Sequence, residues 1–178
     1  MRNTLLVALT LICLSCNTGD KGKKEEQKPP SINMYGYTAG YSSSFEMGDP
    51  KNVEKVLMVY KDWDGGDPAA HQEIFADTFQ FNSGDGGVYK MAHDSAMKFF
   101  SDYRGLYSMM KSNVYSIFSV NSTDKNESWT CVWAQEIHTE KATNKTDSLE
   151  IQESWRFNKD GKVDWVIQHM KPGAPANK

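Results

Sequence analysis

The 178-residue sequence predicts an α+β domain, with about three helices followed by a mostly antiparallel β-sheet. Two observations carry this. Apolar residues recur at three- and four-residue spacing up to Met110, and from there the period switches to two. The alternating segments that follow are joined by short turn-rich connections, one of them an Asp160-Gly161 hairpin, as in a meander. No internal repeat interrupts this order.

The chain opens with Met1 to Ser15, which reads as an export signal: Arg2 supplies the positive charge and Leu5 to Leu14 the apolar run. That run is too short to span a bilayer, which takes about 20 residues. It ends in Leu14-Ser15-Cys16 and is followed at once by polar sequence, which resembles a bacterial lipoprotein signal with Cys16 as the lipidated residue. Cys13 stands where that motif usually has an aliphatic residue, and an ordinary cleaved signal is the alternative. Residues 16–48 then form a tether and N-terminal arm, with Lys23-Lys24-Glu25-Glu26 and Pro29-Pro30 offering nothing to bury. The expected location is the bacterial cell envelope, periplasmic or surface-facing, with the membrane as partner through the lipid.

The folded part is expected over residues 49–171, with 172–178 as a tail. Asp49-Pro50 is an N-cap followed by a proline at the first helical position. Val53, Val56, Leu57, Tyr60 and Trp63 give the first helix its apolar side, and Gly65-Gly66 stops it. Asp67-Pro68 repeats the start signal for a short second helix that runs into a strand near Thr78 to Phe81. A third helix covers Asp94 to Met110. Strands follow at Val114–Val120, Trp129–Thr139, Leu149–Phe157 and Val163–His169. Cys131 alternates with Trp129 and Trp133, as a small strand hydrophobe does.

Trp63-Asp64-Gly65-Gly66-Asp67 followed by Ile74-Phe75-Ala76-Asp77-Thr78-Phe79, with Glu153-Ser154-Trp155-Arg156-Phe157-Asn158-Lys159-Asp160-Gly161-Lys162-Val163 near the end, resembles the SnoaL-like, nuclear-transport-factor-2-like (NTF2-like) superfamily. The resemblance implies a cone, a strongly bent sheet wrapped around the helices with a pocket at the open end. It also implies that homodimers through the outer sheet face are common. In the isomerase and cyclase branches an aspartate base follows on the first strand. The matching stretch here, Phe79-Gln80-Phe81-Asn82-Ser83, has no carboxylate until Asp85. Tyr60 aligns about one residue away from the isomerase tyrosine, which turns it away from the pocket. Those catalytic roles are therefore not carried over.

Strand faces nominate a site. Trp129, Cys131, Trp133 and Ile137 share a face interrupted by Gln135. Leu149, Ile151, Trp155 and Phe157 share one interrupted by Glu153, and Val163, Trp165 and Ile167 share one that ends in His169. A polar side chain in an apolar row needs a partner or loses about 1–3 kcal/mol to desolvation. One explanation is a pocket lined by Trp133, Trp155 and Trp165, with Gln135, Glu153 and His169 as polar contacts and Glu153 as an acid–base group partnered by His169. A sheet edge, a bulge or a wet dimer interface produces the same pattern, and periodicity does not say which face is concave. His93 is a rim candidate beside the third helix start, where Asp94 or Ser95 caps. His138 alternates with Glu136 on the less apolar face and is expected in solvent, and His71 is expected on the surface.

Composition excludes other classes. A net charge of −3 with interleaved signs leaves no electrostatic footprint for nucleic acid. Four scattered histidines and three cysteines show no metal-ligand spacing, so no metal or other cofactor is expected. Three functions remain: an exported, lipid-anchored domain that binds a small apolar or aromatic molecule; a cyclase, isomerase or dehydratase using Glu153 and His169; and a dimeric interaction module.

Overall fold

The computed structural model describes residues 33–173. The signal segment, Cys16, the tether up to residue 32 and residues 174–178 lie outside the described residues. Seven strands form one sheet: β1 (Phe45–Met47), β2 (Phe75–Asn82), β3 (Val88–Ala92), β4 (Tyr107–Ser122), β5 (Glu127–Glu140), β6 (Thr146–Phe157) and β7 (Val163–Pro172). Their order is β1-β4-β5-β6-β7-β2-β3, antiparallel throughout except for the β2–β7 pair. Helices α1 (Pro50–Gly65) and α2 (His93–Arg104) pack with the sheet around one core that includes Val56, Phe79, Ala96, Val132 and Val163.

Helix α1 starts where the sequence signals it. Asp49 accepts a 2.9 Å bond from the Lys51 N–H, and Gly66 ends the helix at a φ of 90°, a left-handed conformation that glycine adopts without penalty. Its buried face is Asn52, Val56, Val59 and Asp62, so Leu57, 40% exposed, points outward instead of joining the core. Arg104 closes the same helix from outside. It is buried, and its guanidinium donates to the carbonyl oxygens of Trp63 (2.6 Å), Asp64 (3.3 Å) and Tyr107 (3.0 Å), tying the end of α1 to the start of β4.

Among the described residues the expected three helices reduce to two α-helices and one 3₁₀ turn, Gln72–Ile74. The stretch after Asp67-Pro68 bonds three residues back, as in Ala70 N–H to Asp67 O and Gln72 N–H to Ala69 O. Residues 67–74 thus form turns and one 3₁₀ segment before the strand begins at Phe75. The last helix stops at Arg104 rather than Met110, because Gly105 caps it and the chain enters β4 at Tyr107. Strand β1, three residues within the expected arm, pairs with β4 from Phe45↔Ser122 to Met47↔Val120. Its short exposed sequence carries no period that would announce it.

Strand β7 contains the register change that matters most for the site. Phe157 pairs with Val163, but the next residue back, Arg156, pairs with Trp165, so Asp164 is an extra residue in a β-bulge. Val163 faces the core on one side of the bulge, and Val166 does so on the other. Trp165, Ile167 and His169 are thereby turned to the outer face. Among the described residues, no helix is long and apolar enough to cross a membrane.

Candidate functional site

A cavity of about 380 Å³ lies between the inner sheet face, α1 and α2. Strands β2, β6 and β7 contribute Phe79, Ile151 and Val166, α1 contributes Val59, and α2 contributes Phe100. Tyr89, Tyr103 and Met170, 37%, 42% and 38% exposed, mark its rim. The size is that of a small-ligand pocket, and most of the wall is apolar or aromatic.

Two buried carboxylates, Glu153 and Glu136, reach into this wall, and the exposed Asp85 is a third among the lining residues. Glu153 of β6 is buried, with Oε2 accepting from the Tyr60 hydroxyl (2.7 Å) and the Trp155 indole N–H (2.9 Å), and Oε1 accepting from the Gln168 amide (2.9 Å). Burial pushes its carboxyl above the usual glutamate range, against the pull of these three donors. Glu136 of β5 is also buried. Its Oε2 accepts from the Trp63 indole at 2.8 Å, and His138 Nδ1 approaches its Oε1 at 3.4 Å. Burial raises this carboxyl too, opposed by Trp63 and His138. Helix α1 thus serves both: Tyr60 and Trp63, three residues apart and on neighbouring turns, each hold one glutamate. Burial, with Glu153 next, also lifts the Tyr60 hydroxyl well above its ordinary value, so it remains a donor.

Asp64 anchors β4 to the end of α1. It accepts from the Ser112 backbone N–H (3.0 Å) and hydroxyl (2.8 Å), and Ser112 lines the cavity opposite Glu136 in the β4–β5 ladder.

Among the residues nominated from sequence, Glu153 and Trp155 meet in the cavity. The others do not. Trp133 is 38% exposed on the outer face beside Phe118, and Gln135 bonds Asn113 at 3.2 Å on that same face. The inner face of β5 is Thr130, Val132, Ala134 and Glu136, because a face pressed against α1 selects small side chains and leaves the tryptophans outside. Trp165 lies under the Arg156 guanidinium and against Trp129, its indole donating to Asn82 at 3.1 Å. His169 pairs with Gln152 on the exposed face, so it is no acid–base partner for Glu153. His93 sits outside the cavity, its Nδ1 2.9 Å from Asp94 Oδ1 and its Nε2 3.0 Å from the Gln72 carbonyl. The Asp94 contact raises its pKa.

Glu136 and Tyr60 are the site residues that sequence reasoning turned outward. Glu136 was recoverable from its spacing: it shares the even-numbered face of β5 with Val132 and Ala134. Among the described residues, no cluster of three or more His, Cys, Asp or Glu side chains is arranged to hold a metal ion.

No family model and no curated relative matches the chain. Solved structures do. The epoxide hydrolase/cyclase-like enzyme SalBIII, with a role in pyran ring formation in the polyether salinomycin, superposes with a TM-score of 0.55 at 13% identity, covering 68% of this chain and 91% of that one. A hypothetical protein of ketosteroid isomerase-like fold from Catenulispora acidiphila, in complex with trimethylamine, gives 0.53 at 11% identity over 65% of this chain and 84% of its own. An NTF2-like protein of unknown function from an Exiguobacterium strain gives 0.53 at 12% identity over 65% and 97%. With helices gathered against one mixed, largely antiparallel sheet and a cavity between the two layers, the chain has the SnoaL-like, NTF2-like α+β cone fold.

Proposed function

We propose that this chain is an exported, lipid-anchored domain that binds a small apolar or aromatic molecule in its cone. The observation that carries the binding reading is the cavity of about 380 Å³ walled by Tyr60, Trp63, Phe79, Phe100, Tyr103 and Trp155. Burying apolar ligand surface there is worth about 25 cal/mol per Å². Native mass spectrometry of the purified domain tests it, with Leu149→Trp introduced to fill the mouth. A bound small molecule, lost in the variant, is the expected result. A ligand-free mass together with no thermal shift from saturating naphthalene sinks the reading.

Export and anchoring rest on the Leu5 to Cys16 segment. Mass spectrometry of the mature protein should show diacylglycerol on Cys16, and an unmodified N-terminus refutes the anchor. A homodimer is proposed through the outer sheet face, where Trp133 and Phe118 pack at 5.5 Å between ring centroids. Sedimentation as a monomer at about 100 μM removes it.

A second reading, acid–base catalysis, is favoured by the Tyr60–Glu153 pair at 2.7 Å within the cavity. A hydroxyl donor beside a carboxylate of raised pKa can hold and move a proton at a bound carbonyl. Proton–deuterium exchange into a bound enolisable ketone, abolished in Glu153→Gln, is the supporting outcome, and its absence in the unaltered chain counts against catalysis.

A further inference from the structure

Both glutamates of the cavity are taken out of water, 9% exposed for Glu136 and 7% for Glu153, and every donor bonded to them is neutral. Among the described residues lining the cavity there is no lysine, arginine or histidine. Buried carboxylates are ordinarily paired with a cation or heavily hydrogen-bonded. Glu153 meets the second condition, with three donors. Glu136 does not: Trp63 serves Oε2, while Oε1 has only the 3.4 Å approach of His138 Nδ1, which completes no hydrogen bond. Capacity for a further donor therefore remains at Glu136.

The surroundings of Glu136 have a definite electrostatic preference. The Trp63 ring that bonds it stacks on Tyr103 at 6.1 Å, and Tyr60 lies one turn earlier on α1. Aromatic faces attract a cation within about 6 Å, more strongly when it is desolvated. Glu153 opposes Val132 in the β5–β6 ladder, four residues from Glu136, so the two backbone positions stand about 13 Å apart along the strands. The apolar wall of Phe75, Phe79 and Trp155 lies toward the Glu153 end.

Resting on the ligand-binding reading above, we propose that the occupant is a small organic cation, an ammonium group on an apolar body, with the ammonium at Glu136 beside the Trp63–Tyr103 stack. A neutral ligand leaves Glu136 with only the imidazole of His138, 3.4 Å away, as a possible counter-charge, and an anionic one adds to the negative potential. An amine supplies the missing charge or donor while its hydrocarbon part fills the remaining wall.

Benzyltrimethylammonium and its uncharged carbon isostere, neopentylbenzene, have the same shape and separate charge from size. Calorimetric titration of the purified domain at about pH 7.5 should show the cation binding at least about tenfold more tightly than the isostere. In Glu136→Gln that preference should fall to within about twofold while the isostere binds as before. An isostere that binds as tightly as the cation overturns the amine proposal and leaves the apolar-cavity reading standing, as does undiminished preference in Glu136→Gln. If neither probe binds the unaltered chain, both readings fall. Should Glu136→Gln not fold, the ratio of the two probes in the unaltered chain decides by itself.

Discussion

The Tyr60 hydroxyl donates a 2.7 Å hydrogen bond to the buried Glu153 carboxylate, joining α1 to β6 at the wall of the cavity. Tyr60→Phe removes one of three donors from a carboxylate that cannot regain water. It should cost about 1–3 kcal/mol in urea unfolding. In a cycle with Glu153→Gln the two changes should be non-additive by at least about 0.5 kcal/mol. Additive effects would show that the bond carries no stability.

Both cavity glutamates have folded pKa values above the ordinary one, chiefly through burial. The native state therefore binds more protons than the unfolded state between the ordinary value of 4.5 and the raised folded values. Stability falls as pH rises through that window. His71, raised by its hydrogen bond to Asp62, acts in the same direction above 6.5. Urea midpoints should decline from about pH 5 to pH 8, and Glu153→Gln should flatten the slope. A slope unchanged in that variant contradicts the assignment.

Arg104 is the connection between α2, the end of α1 and the start of β4. Arg104→Ala leaves the carbonyls of Trp63, Asp64 and Tyr107 short of a donor inside the fold and should cost about 3 kcal/mol. Arg104→Lys should recover less than half of this, because an ammonium cannot reproduce the guanidinium's fork. Thermal unfolding of the three proteins checks the order, and full rescue by lysine would refute it.

Trp133 and His169 project from the outer face. Trp133→Ala and His169→Ala should leave the affinity for any cavity ligand within about twofold. A larger loss in either would place that side chain in the site.

The reading of strand β6 shows what periodicity can deliver. Leu149, Ile151, Glu153, Trp155 and Phe157 share a face in the sequence and in the structure, because β6 runs without a break through these residues. In β5 bulk does not mark burial: the inward row is the smaller one, Thr130, Val132 and Ala134, so the alternation predicts the opposite face. Periodicity half-fails in β7, where Asp164 shifts the alternation by one after Val163. Helix starts were legible in Asp49-Pro50, whose cap is a local bond, whereas the 3₁₀ turn at Gln72 depends on how soon the chain must enter β2.

By itself the sequence determined the α+β class, the helix-to-strand switch, the superfamily resemblance and a glutamate set in an apolar row. These depend on local periodicity and capping, which neighbouring residues encode. Only the tertiary structure decided which sheet face is concave, that the β7 bulge turns His169 outward, and that Tyr60 and Trp63 bring Glu153 and Glu136 into one cavity. Those outcomes depend on strand curvature and register, set by packing between residues as far apart in the chain as Tyr60 and Glu153.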